Sequence, residues 1–151
     1  MVLNIQGYKS IFPNSNANDE GLGQRKLKNL SLSLSAHAFV ADSRTATANM
    51  RYGDGFLSIS ETITGTVWAS VSLPDGAIIN SAIVLGNDFT WELRRMKRNT
   101  FPTLLIASGN ANVKDITIDG AIIDHDKYVY WFVVEMATES QLNGAVIEYE
   151  N

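Results

Sequence analysis

Apolar and polar residues alternate along most of this chain with a period of two. In "KNLSLSLSAHAFV", Leu30, Leu32, Leu34, Ala36 and Ala38 fall on one side, and Asn29, Ser31, Ser33, Ser35 and His37 on the other. That pattern predicts a strand with one buried and one wet face. Serine at every second position also disfavours a helix, because its hydroxyl competes for backbone hydrogen bonds. Comparable segments follow at short intervals: "GFLSISETI", "TVWASVSL", "AIINSAIVLG", "FTWELRRM", "TLLIAS", "VKDITIDGAII", "YVYWFVVEM" and "GAVIEYE". They are rich in the β-branched and aromatic residues that suit a pleated surface.

Turn signals separate them. Tyr52-Gly53-Asp54-Gly55, Pro74-Asp75-Gly76, Gly86-Asn87-Asp88, Ser108-Gly109-Asn110 and Asp124-His125-Asp126 each combine residues that favour reversals. Pro74 presets φ for a corner, and Gly76 tolerates a positive φ after it. The next segment is largely apolar on both sides, with Ala77, Ile79, Ser81, Ile83 and Leu85 alternating with Ile78, Asn80, Ala82 and Val84, so it reads as a central strand that stops at Gly86-Asn87-Asp88. No amphipathic helix of three turns is visible. About eight to ten short strands at this spacing predict an all-β, antiparallel β-sandwich of jelly-roll type, with an immunoglobulin-like sandwich as the second choice. The Asn- and Gly-rich run Ile11–Lys26 predicts that residues 1–26 form an arm or loop ahead of a sandwich domain spanning 27–151.

One strand is apolar twice over. In "KYVYWFVVEM", Tyr128, Tyr130, Phe132, Val134 and Met136 form one face, and Val129, Trp131 and Val133, with Glu135, the other. An antiparallel strand of this kind needs cover on both sides, and the closing Ala145-Val146-Ile147 is equally apolar. The expectation is a closed homo-oligomer whose interface includes Tyr128, Tyr130, Trp131, Phe132 and Val134. A trimer is the expected count, by analogy with jelly-roll surface proteins.

Composition narrows the chemistry. Among 151 residues there are no cysteines, which removes disulfides, thiolate nucleophiles and cysteine zinc sites. The net charge of −4 argues against a nucleic-acid surface. Residues 114–151 hold two of the 12 Lys and Arg but eight of the 16 Asp and Glu. Against that acidic end stands the basic cluster Arg94, Arg95, Lys97 and Arg98, a candidate contact for acidic residues of another subunit. No apolar run reaches the ~18 residues of a membrane helix, so no membrane insertion is expected. The first residues lack the basic start and continuous apolar core of a signal peptide.

Candidate catalytic groups are sparse. His37 sits among serines and His125 between Asp124 and Asp126, but no Gly-x-Ser-x-Gly elbow marks a nucleophile. Asp124 and Asp126, with Asp88 or Asp119, offer carboxylates to calcium, yet a bare Asp-x-Asp is ordinarily a solvated turn. No phosphate loop or dinucleotide fingerprint occurs, so no metal, cofactor or catalytic residue is assigned. Trp68, Trp91 and Trp131 raise the alternative of sugar stacking; Trp68 and Trp91 are expected in the core and Trp131 on the outer side of its strand.

Four stretches occur in an order resembling an uncharacterised family of β-rich modules in bacterial and phage surface proteins: "LSAHAFVADS", "LPDGAIINSAIVLGND", "IDHDKYVYWFVVEM" and "LNGAVIEYEN". The resemblance covers about Ser31 to Asn151. It implies a β-sandwich without established catalytic residues, placed in a virion or on a cell surface. The functional expectation is a non-enzymatic structural subunit (coat, decoration or fibre), with a carbohydrate-binding module as the alternative.

Overall fold

Two of the expected breaks in the alternation are bends inside strands. The computed structural model describes residues 27–42, 50–59, 64–118 and 121–151; the expected arm, 1–26, lies outside them. The strands are β1 (Asn29–Ser35), β2 (Val40–Ala41), β3 (Met50–Tyr52), β4 (Leu57–Ile59), β5 (Gly65–Val71), β6 (Ile78–Lys97), β7 (Thr103–Asn110) and β8 (Tyr128–Glu150). The fold is all-β, as the alternation predicts. All eight strands pair antiparallel in one curled sheet that is nearly barrel-shaped.

The sheet is organised by its two longest strands, β6 with 20 residues and β8 with 23. They pair with each other from Ile78↔Glu150 to Lys97↔Tyr128. The other edge of β8 is shared by β5 at Tyr130–Met136, β4 at Gln141–Leu142 and β1 at Gly144–Glu150. The other edge of β6 carries β7 beside Thr90–Met96. Below that, segments 112–118 and 121–123 lie along β6 through bonds such as Asn112 N to Val84 O and Ile123 N to Ala77 O, at 2.9 and 2.8 Å. The expected strand "VKDITIDGAII" thus contributes isolated bridges at Asp115 and Ile122 instead of a ladder.

Gly86-Asn87-Asp88 does not stop β6. The register slips on either side of it, at Leu85/Gly86 and Asn87/Phe89, and the strand continues. Positive φ at Gly86 (149°) and Asp88 (55°) on β6, and at Glu139 (63°) and Gly144 (151°) on β8, bends the pair. Polar side chains take over the backbone bonds lost there. Gly86 N donates to Asn112 Oδ1 at 3.1 Å, Gln141 N to Asn87 Oδ1 at 2.7 Å, and Ser140 Oγ to Asp88 O at 2.5 Å. Residues that ordinarily start a turn here satisfy a bulge.

The concave side holds one apolar core. Phe132 lies 6.4 Å from Phe39 and 6.0 Å, edge-on, from Trp91, ring centre to ring centre. Leu57, Val67, Leu93, Leu142 and Ile147 close around them, fully buried. The Pro74-Asp75-Gly76 corner forms as expected, with Gly76 at φ 79° and Ala77 N donating to Pro74 O at 3.1 Å. The serine strand is shorter than expected: β1 ends at Ser35, and Ala36–Ala38 make one 3-10 turn.

Candidate interaction face

On neighbouring antiparallel strands, directly opposed residues share a face, so the convex side of the sheet can be read from its registers. One row runs Val40, Trp68, Val133, Glu92, Ser108 across β2, β5, β8, β6 and β7. The next runs Ser70, Trp131, Arg94, Leu105, and a third Val129, Met96, Thr103. Residues between these rows, including Val67, Ala69, Phe132 and Leu93, point into the core. Trp68 and Trp131 are therefore diagonal neighbours on adjacent strands of the convex face.

This face is apolar and open. Trp68 is 42% exposed, Val40 43% and Leu105 56%, while Val129, Trp131, Val133 and Met96 are half-buried. Trp68, Ser70, Met96, Val129, Tyr130 and Trp131 line a shallow depression of ≈380 Å³. A second, of ≈290 Å³, is bordered by Thr90, Glu92, Ser108, Val133 and Glu135 and is more polar. Between them Arg94 Nε meets Glu92 Oε2 at 2.5 Å and Arg94 Nη1 donates to Thr103 Oγ1 at 2.8 Å. Both partners of this ion pair are about one-third exposed, so it orients the side chains more than it stabilises the fold.

The expected interface residues divide between the two sides. Tyr130, Phe132 and Val134 are at most 3% exposed and their side chains belong to the chain's own core, which leaves them little surface to offer a partner, although Tyr130 still borders the depression. Tyr128 is half-buried at the end of β8, and Trp131 alone of the five lies on the convex face. Trp91 is core, as expected, with Nε1 donating to Asn110 O at 3.0 Å. Trp68 is not. The signal was present in "TVWASV", where Trp68 alternates in phase with Thr66 and Ser70, and Val67, Ala69 and Val71 take the core. Aromatic character outweighs phase in a reading by residue type; phase is what the fold obeys.

The basic cluster is dispersed, not assembled. Arg94 turns to Glu92 on the convex face. Arg95 turns the other way, its guanidinium 4.7 Å above the Tyr128 ring and its buried Nε without a hydrogen-bond partner. Arg98 donates to the His125 carbonyl at 2.9 Å, and Lys97 is exposed.

The histidines serve local structure. His37 stacks on Tyr52 at 5.5 Å. The His125 ring packs edge-on against Tyr130, with Nε2 2.7 Å from Leu73 O, and its backbone N–H donates to Asp75 Oδ1 at 2.8 Å. Asp124 accepts from Lys127 Nζ at 2.8 Å; that hydrogen bond first, with Lys127's charge and backbone N–H, holds its carboxyl below the usual carboxylate range. Among the described residues no three His, Asp or Glu side chains converge as metal ligands, and Asp119 lies outside those residues. No helix among them is long and apolar enough to cross a membrane. No protein family, curated protein or solved structure matches the chain.

Proposed function

We propose that this chain is a non-enzymatic structural subunit of a virion or cell-surface assembly, and that it meets a neighbouring copy through the convex face. The observation that carries this reading is the position of Trp68 and Trp131, diagonal to each other on an open face with Val40, Val129, Val133, Met96 and Leu105 around them. Contiguous apolar area of this kind is uncommon on monomers beyond a few hundred Å². The Glu92–Arg94 pair adds a charged landmark that fixes orientation more than affinity. The surface-assembly setting draws on the resemblance to β-rich surface modules, and the trimer on analogy with jelly-roll assemblies.

Sedimentation of the purified chain against Trp68→Ser and Trp131→Ser variants tests this. An oligomer that dissociates in both variants is expected. A wild-type monomer at every concentration, or an oligomer indifferent to both changes, would overturn it.

A second reading rests on the same pair. Solvent-facing indoles beside Glu92, Arg94, Ser70 and Ser108 supply the aromatic surface and polar groups that a pyranose ring uses. A glycan array read with and without calcium distinguishes it, since sugar binding lost in Trp68→Ser would replace the assembly reading.

A further inference from the structure

Among the described residues the sheet does not close, and β1 is one of its edge strands. β1 pairs with β8 in unbroken register from Asn29↔Glu150 to Ser35↔Gly144. Among the described residues no strand pairs with its other edge. Among the described residues, the outward backbone donors and acceptors of these seven residues have no strand partner. The side chains are also incompletely covered: Leu30 is 39% exposed, and Leu32 and Leu34 pack on the core while remaining half-buried. Protected edges usually carry charge, proline or a bulge. Asn29–Ser35 contains no charged residue, no proline and no register shift.

The sequence of this edge reads the same in both directions. Leu30-Ser31-Leu32-Ser33-Leu34 is a palindrome about Leu32. An antiparallel pair of such strands related by a two-fold axis at Leu32 opposes Leu30 to Leu34, Ser31 to Ser33 and Leu32 to itself. Every leucine of both copies then lies on the half-covered inner side and every serine on the outer. Because the segment is uncharged, two copies meet without like-charge repulsion, although the whole chain carries −4. Asn29 and the serines are small enough to let a second backbone approach. An isologous contact of this kind closes at two copies.

We infer that β1 is a strand-pairing edge whose partner is β1 of a second copy, joining two sheets in the register centred on Leu32. This contact is separate from the convex-face contact proposed above. A strand pair buries less surface than a standard interface, so it forms at high protein concentration or within an assembly that supplies it.

Sedimentation from about 10 μM to 1 mM reads the association, which a contact below standard size requires. The dimer is expected to weaken on the order of tenfold in Ser31→Lys/Ser33→Lys, because each lysine then opposes another across the axis. Those serines are exposed, so the fold is retained; circular dichroism checks that. The register has its own readout in a chain free of cysteine. A mixture of Ser31→Cys and Ser33→Cys chains is expected to join through a short thiol cross-linker several-fold faster than either variant alone. Dimerisation unchanged by the lysines, equal cross-linking in all three samples, or a monomer up to 1 mM overturns the inference. Association lost in Trp68→Ser yet kept in the lysine variant overturns it while leaving the convex-face reading intact.

Discussion

Trp68 and Trp91 lie on opposite sides of one sheet, and exchanging each for alanine measures the sidedness on which the convex-face proposal depends. Trp91 is 1% exposed, its ring edge-on to Phe132 at 6.0 Å and its Nε1 bonded to Asn110 O at 3.0 Å. Trp91→Ala removes that packing and opens a cavity against Phe132, worth about 3–5 kcal/mol in rigid cores. It also withdraws the donor from the Asn110 carbonyl, at about 1 kcal/mol. Against a domain stability of about 5–15 kcal/mol this is enough to bring many chains near their unfolding midpoint. Trp68, with 42% of its surface in water, has neighbours on one side only. Trp68→Ala is expected to cost about 1 kcal/mol, within the range of surface substitutions that lose partial packing. Urea unfolding followed by circular dichroism gives both values from one protocol. Equal costs for the two variants would mean that Trp68 is covered within the chain, and the convex face would then not be an open surface.

Gly86→Ala is expected to destabilise by about 3 kcal/mol or more, because a methyl there meets the Gln141 carbonyl at a φ of 149° that only glycine adopts freely; a stability within error of wild type in the same urea assay would contradict the bend described. Ser140→Ala should cost about 1–2 kcal/mol by leaving the Asp88 carbonyl without its buried hydroxyl donor. Glu148 is held below its ordinary value, first by the hydrogen bond from Lys114 and then by that from Ser81. A depressed folded pKa contributes stability above the unfolded value, near 4.3, that is lost as pH falls through the folded one. Glu148→Gln is expected to flatten that part of the acid-unfolding profile, and an unchanged profile would show that the Lys114 contact is not maintained in solution.

The alternation made the strands legible wherever one face is wet. β1 and β5 show this: Leu against Ser in the first, Val and Ala against Thr, Trp and Ser in the second, although in β5 the expectation of a core Trp68 puts the indole on the wrong side. What alternation does not contain is whether a polar interruption reverses the chain or only bends it. Gly86-Asn87-Asp88 and Pro74-Asp75-Gly76 carry similar local signals, yet one is a bulge and the other a corner. The difference is made at a distance in sequence. Asn112, Gln141 and Ser140 supply the partners that hold Gly86, Asn87 and Asp88 in an extended path, whereas Pro74 closes on Ala77 within its own turn. Tertiary hydrogen bonds override local turn preference when they satisfy the groups the turn would have satisfied.

The same bends decide which surfaces exist. Because β8 continues through Glu139 and Gly144, a single strand presents its Tyr130–Met136 half to β5 and its Gly144–Glu150 half to β1. Two separate strands with a reversal between them would face the two halves into different pairings, and β1 would lose the unbroken register that leaves its other edge unpaired among the described residues. Gly144 is the position where this is tightest, since an added methyl would strike the Leu34 carbonyl of β1 itself. A side chain there would force β1 away from β8 and misalign the palindromic segment. The β1 edge and the tryptophan face thus depend on one mechanical feature, a pair of long strands bent by bulges. A substitution that straightens either strand is expected to alter both contacts together, whereas lysines on β1 or serines at Trp68 and Trp131 alter one at a time.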